Sequence, residues 1–356
     1  MVVTTIILNC IGIIKKKSRL IFYLLLAWIW ILFAFNTMNG DYDAYSYNYN
    51  YLLQDYGFNS FGLGYTLFQK LATYFNLDYQ GFLLLFSFVG LVLIAVSINN
   101  YTEKGAIVLS LYIIYPFFWD VTQIRNFFSM AIIIYFSKYI LSQNKNYMKY
   151  IIGVIIAAQF HISALFYLLF ILIKFFNLKR ITMISTFITI LLLAFSNASI
   201  GRIILKLLSS EGKMKYFLSS TTILTKVAII VLFSLNILVS YIIYKKMNSA
   251  ICEERNVIRI DYSALLKINI ILIIMLPFVL LNLDFIRLFR NISILNYIAF
   301  VNCISIKKLE RIKFDNFILI NLELLILLLC FLWLTIYVTN GGSVINSVFN
   351  NNLLFK

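Results

Sequence analysis

Residues 157–166 read AAQFHISALF, and His161 at their centre is the only histidine among 356 residues. An imidazole titrates closest to neutrality of all side chains, so it can take a proton from a hydroxyl with little perturbation. Three other stretches carry complementary chemistry. In YPFFWDVTQIRNFFSMA (115–131), Pro116 ends one apolar run, and Gln123 and Arg125 open the next. A helix start already favours anions, and a guanidinium beside it favours phosphate. In LNLDFIRLFRNISILNY (281–297), Arg287 and Arg290 lie three apart on one helix face, with Asp284 a turn earlier. In GDYDAYSYNYNYLLQDYGFNSFG (40–62), Asp41 and Asp43 stand in a dense run of tyrosines that includes Tyr42 and Tyr45. Ring faces against CH groups and carboxylates against hydroxyls are what a sugar-binding surface uses.

Each group also has a plainer structural role. His161 can bond a neighbouring helix, Arg125 can snorkel to lipid headgroups, Asp284 can pair with Arg287, and the tyrosines can form an interfacial belt. What separates the two sets of roles is where the elements carrying these residues lie.

The chain is 62% hydrophobic and 12% charged, with a mean hydropathy of +0.91. Soluble domains are about 45–50% apolar and about 25% charged, so the chain is read as one all-α, polytopic membrane domain over 1–356. Candidate spans fall at 2–14, 20–37, 81–98, 105–119, 123–141, 150–160, 162–176, 181–199, 223–244, 262–281, 285–306 and 316–338. That makes about 10–12 membrane helices, since little else satisfies the backbone in lipid. Apolar Val2–Ile14 precedes the lysines and no small-residue cleavage site follows, so no signal peptide is expected. The net charge of +16 is dispersed in short clusters between apolar runs. That is how membrane proteins mark cytoplasmic loops, and nucleic acid is not expected as a partner. The abundance of Ile, Phe, Asn, Lys and Tyr is what an AT-rich genome encodes, which points to a bacterium.

With Lys15–Arg19 cytoplasmic, alternation also places Lys104, Lys138–Lys149, Lys174–Arg180, Lys245–Arg259 and Lys307–Lys313 inside, about two thirds of the 30 basic residues. The scheme requires 150–176 to cross twice, as a broken pair of short helices meeting near His161. Outer loops are then expected at 38–62 and 200–222, the latter with Arg202, Lys206, Lys213 and Lys215. His161, Arg125, Arg287 or Arg290, and Asp41 all fall on the outer side.

A lone histidine, four cysteines without metal-type spacing, and no HExxH or DxD pattern argue against a metal site. No Walker loop or GxGxxG occurs, so no cofactor is expected.

Three segments together resemble the EpsG family of bacterial membrane proteins, relatives of Wzy-type polysaccharide polymerases. They are the acidic-tyrosine stretch Asp41-Tyr42-Asp43-Ala44-Tyr45, then Pro116-Phe117-Phe118 with Gln123-Ile124-Arg125, and Ala158-Gln159-Phe160-His161-Ile162-Ser163-Ala164. The order of the last two and their separation, about 35 residues from arginine to histidine, is the most specific part. The family's later arginine falls at Arg287 or Arg290. Two positions depart from the family pattern: Asn36-Thr37-Met38 stands where members often carry an arginine, and Gly62 where they often carry a glutamate.

The resemblance implies a glycosyltransferase of the bacterial cytoplasmic membrane. Such an enzyme joins undecaprenyl-diphosphate-linked repeat units at the outer face, for capsule or exopolysaccharide. A flippase and a chain-length regulator are its implied partners. On this reading Arg125 with Arg287 or Arg290 stabilises the diphosphate, taking the place of a metal. Either His161 or a carboxylate among Asp41 and Asp43 deprotonates the acceptor, while Gln123, Tyr42 and Tyr45 contact substrate. A membrane O-acyltransferase would also use an embedded histidine, but with polar residues reaching both faces. A flippase would need charges through the whole depth of its helices.

Overall fold

The computed structural model describes residues 1–54, 61–197, 222–248, 258–304, 314–338 and 341–355. Among them the regular structure is helical, with a single isolated β-bridge between Asn36 and Asn352. The expected outer loop 200–222 and the basic run 307–313 lie outside the described residues, except for Thr222.

Four stretches are long and apolar enough to cross a membrane: Tyr79–Tyr101, Ile124–Leu141, Ile223–Asn248 and Tyr262–Leu281. Leu325–Val338 and Gly341–Asn350, bent by 80°, add a fifth if they count as one span. Six shorter apolar helices of 10–17 residues stand with these. Among the described residues, four or five segments are thus long enough to span, against the ten to twelve expected, and the rest of the apolar helices are shorter. The chain is an all-α, multi-pass membrane bundle.

Local sequence sets the helix starts. The Asp78 side chain accepts the Gly81 N–H at 2.7 Å to open Tyr79–Tyr101. Ser18 and Asp261 cap Arg19–Ala34 and Tyr262–Ile271 in the same way. Along Tyr79–Tyr101, Phe88, Val92 and Val96 recur every fourth residue on an exposed stripe, while Phe86, Leu91 and Ile94 are buried. A helix apolar all round suits a lipid solvent on one side and a protein core on the other. Polar contacts link helices where hydrocarbon offers none. Asn236, Asn269 and Asn296, from three helices, close a ring of amide hydrogen bonds at 2.9–3.0 Å.

The 147–175 region folds back on itself. Tyr147–Ala158 ends at Gln159, His161 is extended, and a 3₁₀ helix runs over Ile162–Ile171. The Tyr150 hydroxyl donates to the Tyr167 carbonyl at 3.1 Å, and Lys174 sits 5.2 Å from the Tyr147 ring. The two arms are therefore antiparallel, with the histidine at their turn.

Where an outer loop is expected over 38–62, the chain instead forms the helix Tyr42–Gln54, followed after 61–62 by Leu63–Tyr74. The reason is side-chain spacing. Tyr42, Tyr45 and Tyr49 follow a 3–4 periodicity and pack on Tyr79, Phe61, Tyr65 and Phe82. The tyrosine run is thus an amphipathic helix whose apolar face is aromatic.

The bundle has two distinct ends. At one, Lys17 bonds Glu103, Lys145 bonds Asp261, and the Ile258 N–H reaches the Asn100 carbonyl. At the other, Gln80 bonds the Ala34 carbonyl, Thr37 bonds Asn351, and Asn39 reaches the Val121 carbonyl. Tyr79–Tyr101 joins the two ends, and its 23 residues span about 35 Å at 1.5 Å per residue.

Candidate functional site

The turn between the two arms of 147–175 lies at the end opposite the lysines, and two arginines from distant segments meet on it. Arg125 stands in the first turn of Ile124–Phe136, and its Nε donates to the Phe160 carbonyl at 3.2 Å. Arg287, in Ile286–Arg290, donates through Nε to the Asp284 carbonyl at 2.7 Å. Its Nη1 lies 3.4 Å from His161 Nε2. A guanidinium has only donors, so Nε2 can accept from it only when unprotonated. On the other side of the ring, Nδ1 lies 2.6 Å from the Ser163 hydroxyl and accepts the Ser163 N–H at 3.4 Å. Both nitrogens of the imidazole are engaged by the protein.

An aromatic wall holds Arg125 in place. Its guanidinium carbon lies 4.8 Å from the Phe61 ring centre and 5.7 Å from that of Tyr65. Tyr45 packs on both rings at about 6 Å. Gly62, with φ +101°, and Gly64 let the chain lie against the histidine turn. A Cβ at Gly62 would stand 2.7 Å from the Gln159 carbonyl, and the Gly64 N–H bonds that carbonyl at 3.0 Å. Glycine at both positions permits this close backbone approach.

Asp41 sits at the rim, with its N–H on the Asn39 side chain at 3.0 Å. Asn39 in turn bonds Asn36 at 2.8 Å, and Asn36 bonds the Asn351 carbonyl at 3.2 Å. Asn36 therefore ties the rim to the C-terminal segment. Solvent reaches Asp41, yet the protein around it raises its carboxyl above the ordinary value; Arg287 opposes that rise and Asp284 adds to it.

The other sequence candidates lie elsewhere. Asp43 is exposed on the outward face of Tyr42–Gln54. Tyr42 turns inward, its hydroxyl 3.3 Å from Gln80 Oε1. Arg290 and Gln123 bond each other, Nη2 to Oε1 at 2.7 Å, and Arg290 is 2% exposed. The partner of this pair, Asp120, was not among the sequence candidates. Its Oδ1 lies 3.8 Å from Arg290 Nη2, and its Oδ2 accepts from the Tyr112 hydroxyl at 2.9 Å. A single carboxylate inside Phe117-Phe118-Trp119-Asp120 is the signal that could have found it, because ionisable residues in apolar segments are rarely idle. Among the described residues, no group of three or more His, Cys, Asp or Glu gathers as a metal would need.

Arranged this way, two guanidiniums can hold an anion with several oxygens, while a carboxylate with a raised pKa is available to accept a proton. Neither the curated proteins nor the solved structures give a match. The EpsG family model, however, matches residues 4–350. The chain belongs to the EpsG family, a polysaccharide-polymerase-like family of membrane proteins.

Proposed function

We propose that the chain is a glycosyltransferase of the bacterial cytoplasmic membrane, joining undecaprenyl-diphosphate-linked repeat units at the outer face into capsule or exopolysaccharide. The observation that carries this reading is the convergence of Arg125 and Arg287 on the His161 turn, beside Asp41, at the end away from the lysines. A lipid-linked substrate keeps its diphosphate at headgroup level, where this end of the bundle would meet it.

In the proposed reaction, the hydroxyl of one repeat unit attacks the anomeric carbon of the other. The bond from that carbon to the diphosphate oxygen breaks, and the configuration inverts. The hydroxyl proton passes to a base, and the electron pair leaves with undecaprenyl diphosphate. Arg125 and Arg287 meet that charge, as fixed donors do where charge develops. Asp41 is assigned as the base. Its raised carboxyl is a better proton acceptor than an ordinary one, and solvent reaches it. His161 already uses one nitrogen on Ser163 and the other on Arg287, so it is assigned to orient the arginine. A flippase supplies the substrate, and a chain-length regulator completes the assembly.

Deleting the gene and following the lipid-linked pool tests the reading. Single repeat units on undecaprenyl diphosphate should accumulate at the outer face. Units trapped on the cytoplasmic side would instead identify a flippase, and full-length polymer lacking acyl groups an acyltransferase.

A further inference from the structure

Arg287 and Arg290 are three residues apart, yet the structure gives them opposite surroundings. Arg287 is half-buried beside His161, while Arg290 is sealed in the core against Asp120, which is fully buried. The reaction above uses neither Arg290 nor Asp120. Two charges out of water at this depth are costly to keep, so their retention calls for a role.

That role follows from what they connect. Arg290 lies in Ile286–Arg290, the short helix that carries Arg287. Gln123 immediately precedes Ile124–Phe136, whose first turn carries Arg125. Asp120 belongs to Phe117–Thr122, and Tyr112 to Gly105–Ile114. One chain of contacts runs from the Tyr112 hydroxyl to Asp120, on to Arg290 and from there to Gln123. Next to it, Asn126 and Asn291 exchange two amide bonds at 3.0 Å. The Tyr167 hydroxyl bonds the Leu288 carbonyl at 3.0 Å, joining the 3₁₀ arm beyond His161 to the same short helix. The segments carrying the two substrate-facing arginines are thus clamped together by buried polar contacts one turn away from those arginines. The clamp is not saturated: Asp120 Oδ1 and Arg290 Nε are buried without a hydrogen-bond partner. An apolar seam would hold two helices together more cheaply, but it would not fix their rotation and register as directional bonds do.

We propose that Asp120 and Arg290 are positioning residues. Their buried pairing, with Gln123, sets the separation of Arg125 and Arg287 to fit a diphosphate. The inference rests on the proposed diphosphate role of those two arginines.

The test uses the full chain in detergent or nanodiscs, with inorganic pyrophosphate as the probe and thermal unfolding as the readout, beside turnover of lipid-linked substrate. Pyrophosphate should raise the wild-type unfolding temperature. Asp120→Asn and Arg290→Gln each leave one buried charge alone and should destabilise the protein. The decisive variant is the double one, Asp120→Asn with Arg290→Gln, which removes both charges and should recover stability. Its pyrophosphate affinity and its kcat should stay at least about tenfold below wild type, since misplacement by an ångström costs up to about a hundredfold. If the double variant regains wild-type affinity and kcat together with stability, the pair only balances charge and the inference is overturned. If pyrophosphate fails to stabilise even the wild type, the diphosphate reading of Arg125 and Arg287 falls first and takes the inference with it.

Discussion

Lys17 and Lys145 bond Glu103 and Asp261 at 3.0 and 2.6 Å, all four side chains still reached by water. At the opposite end of the bundle, Arg125 and Arg287 are fixed by the main-chain carbonyls of Phe160 and Asp284. The two ends hold their cations by different physics. A carboxylate cancels the charge it binds, and in water the pair contributes little. A main-chain carbonyl carries no net charge, and through it the protein fixes the direction in which each guanidinium points. On the proposed reading the lysine end faces the cytoplasm, by the positive-inside rule, and the arginine end takes the anion. If that contrast is functional, substitutions at the arginine end should remove activity at constant stability, and those at the lysine end should do neither.

The largest effect is expected at Asp41. Asp41→Asn keeps shape and removes the proton acceptor, so turnover of lipid-linked donor should fall about 10²–10⁴-fold. The pH profile supplies the sign. A carboxylate base works only when ionised, so the wild-type rate should fall as pH drops through its pKa. Desolvation by the surrounding protein raises that pKa while Arg287 opposes the rise, so the falling limb is shifted upward from that of an ordinary aspartate. In Asp41→Asn the limb should vanish. An unchanged neutral-pH rate in the variant would remove Asp41 from the chemistry.

Arg125→Gln and Arg287→Gln come next, each with a rate loss of about 10²–10³-fold, as for other fixed donors to a developing anion. Arg→Lys at either position keeps the charge but not the planar fork, and should recover only part of the loss. Equal loss in the Gln and Lys variants would point to geometry, and full recovery by Lys to charge alone.

How far the sequence reached differs along the chain for physical reasons. Hydropathy located nearly every apolar helix, and charge alternation required 150–176 to turn back at His161. The contacts Tyr150–Tyr167 and Tyr147–Lys174 bear out that turn. Hydropathy does not mark the helix Tyr42–Gln54, because its buried face is built of tyrosines. Their spacing is helical, but their hydropathy is not. Arg287 and Arg290 could not be told apart, since three-residue spacing puts both on one face. Their fates are decided by Asp120, more than 160 residues away in sequence, and no local pattern carries that information. The proposed choice of Asp41 over His161 as base likewise draws on the contacts of the ring with Ser163 and Arg287, and the contact with Arg287 lies beyond any local sequence pattern.

His161→Asn should have a smaller effect. If the imidazole orients Arg287, its loss removes one hydrogen bond from a charged donor, worth about 1.5–3 kcal/mol or roughly ten- to a hundredfold in rate. Were the ring the base instead, the loss would match that at Asp41. Measuring the two variants side by side therefore decides the assignment: Asp41→Asn far below His161→Asn supports it, and the reverse order inverts it.

The smallest effect is expected at the lysine end, where the contrast is easiest to break. Lys145→Ala removes the bond to Asp261, and Lys17→Ala the bond to Glu103. Ion pairs this exposed contribute about 0.2–1 kcal/mol, so thermal unfolding should shift little and turnover should not change. Neither lysine comes near the arginine site, because the helix Tyr79–Tyr101 separates the two ends by about 35 Å. Screening confines such charges to about 8 Å at physiological salt. A rate loss in Lys145→Ala comparable with Arg287→Gln, in protein inserted at wild-type level, would mean that substrate is handled from the lysine end as well. The two ends would then be two gates of one path, and the asymmetry on which the transferase reading depends would be gone.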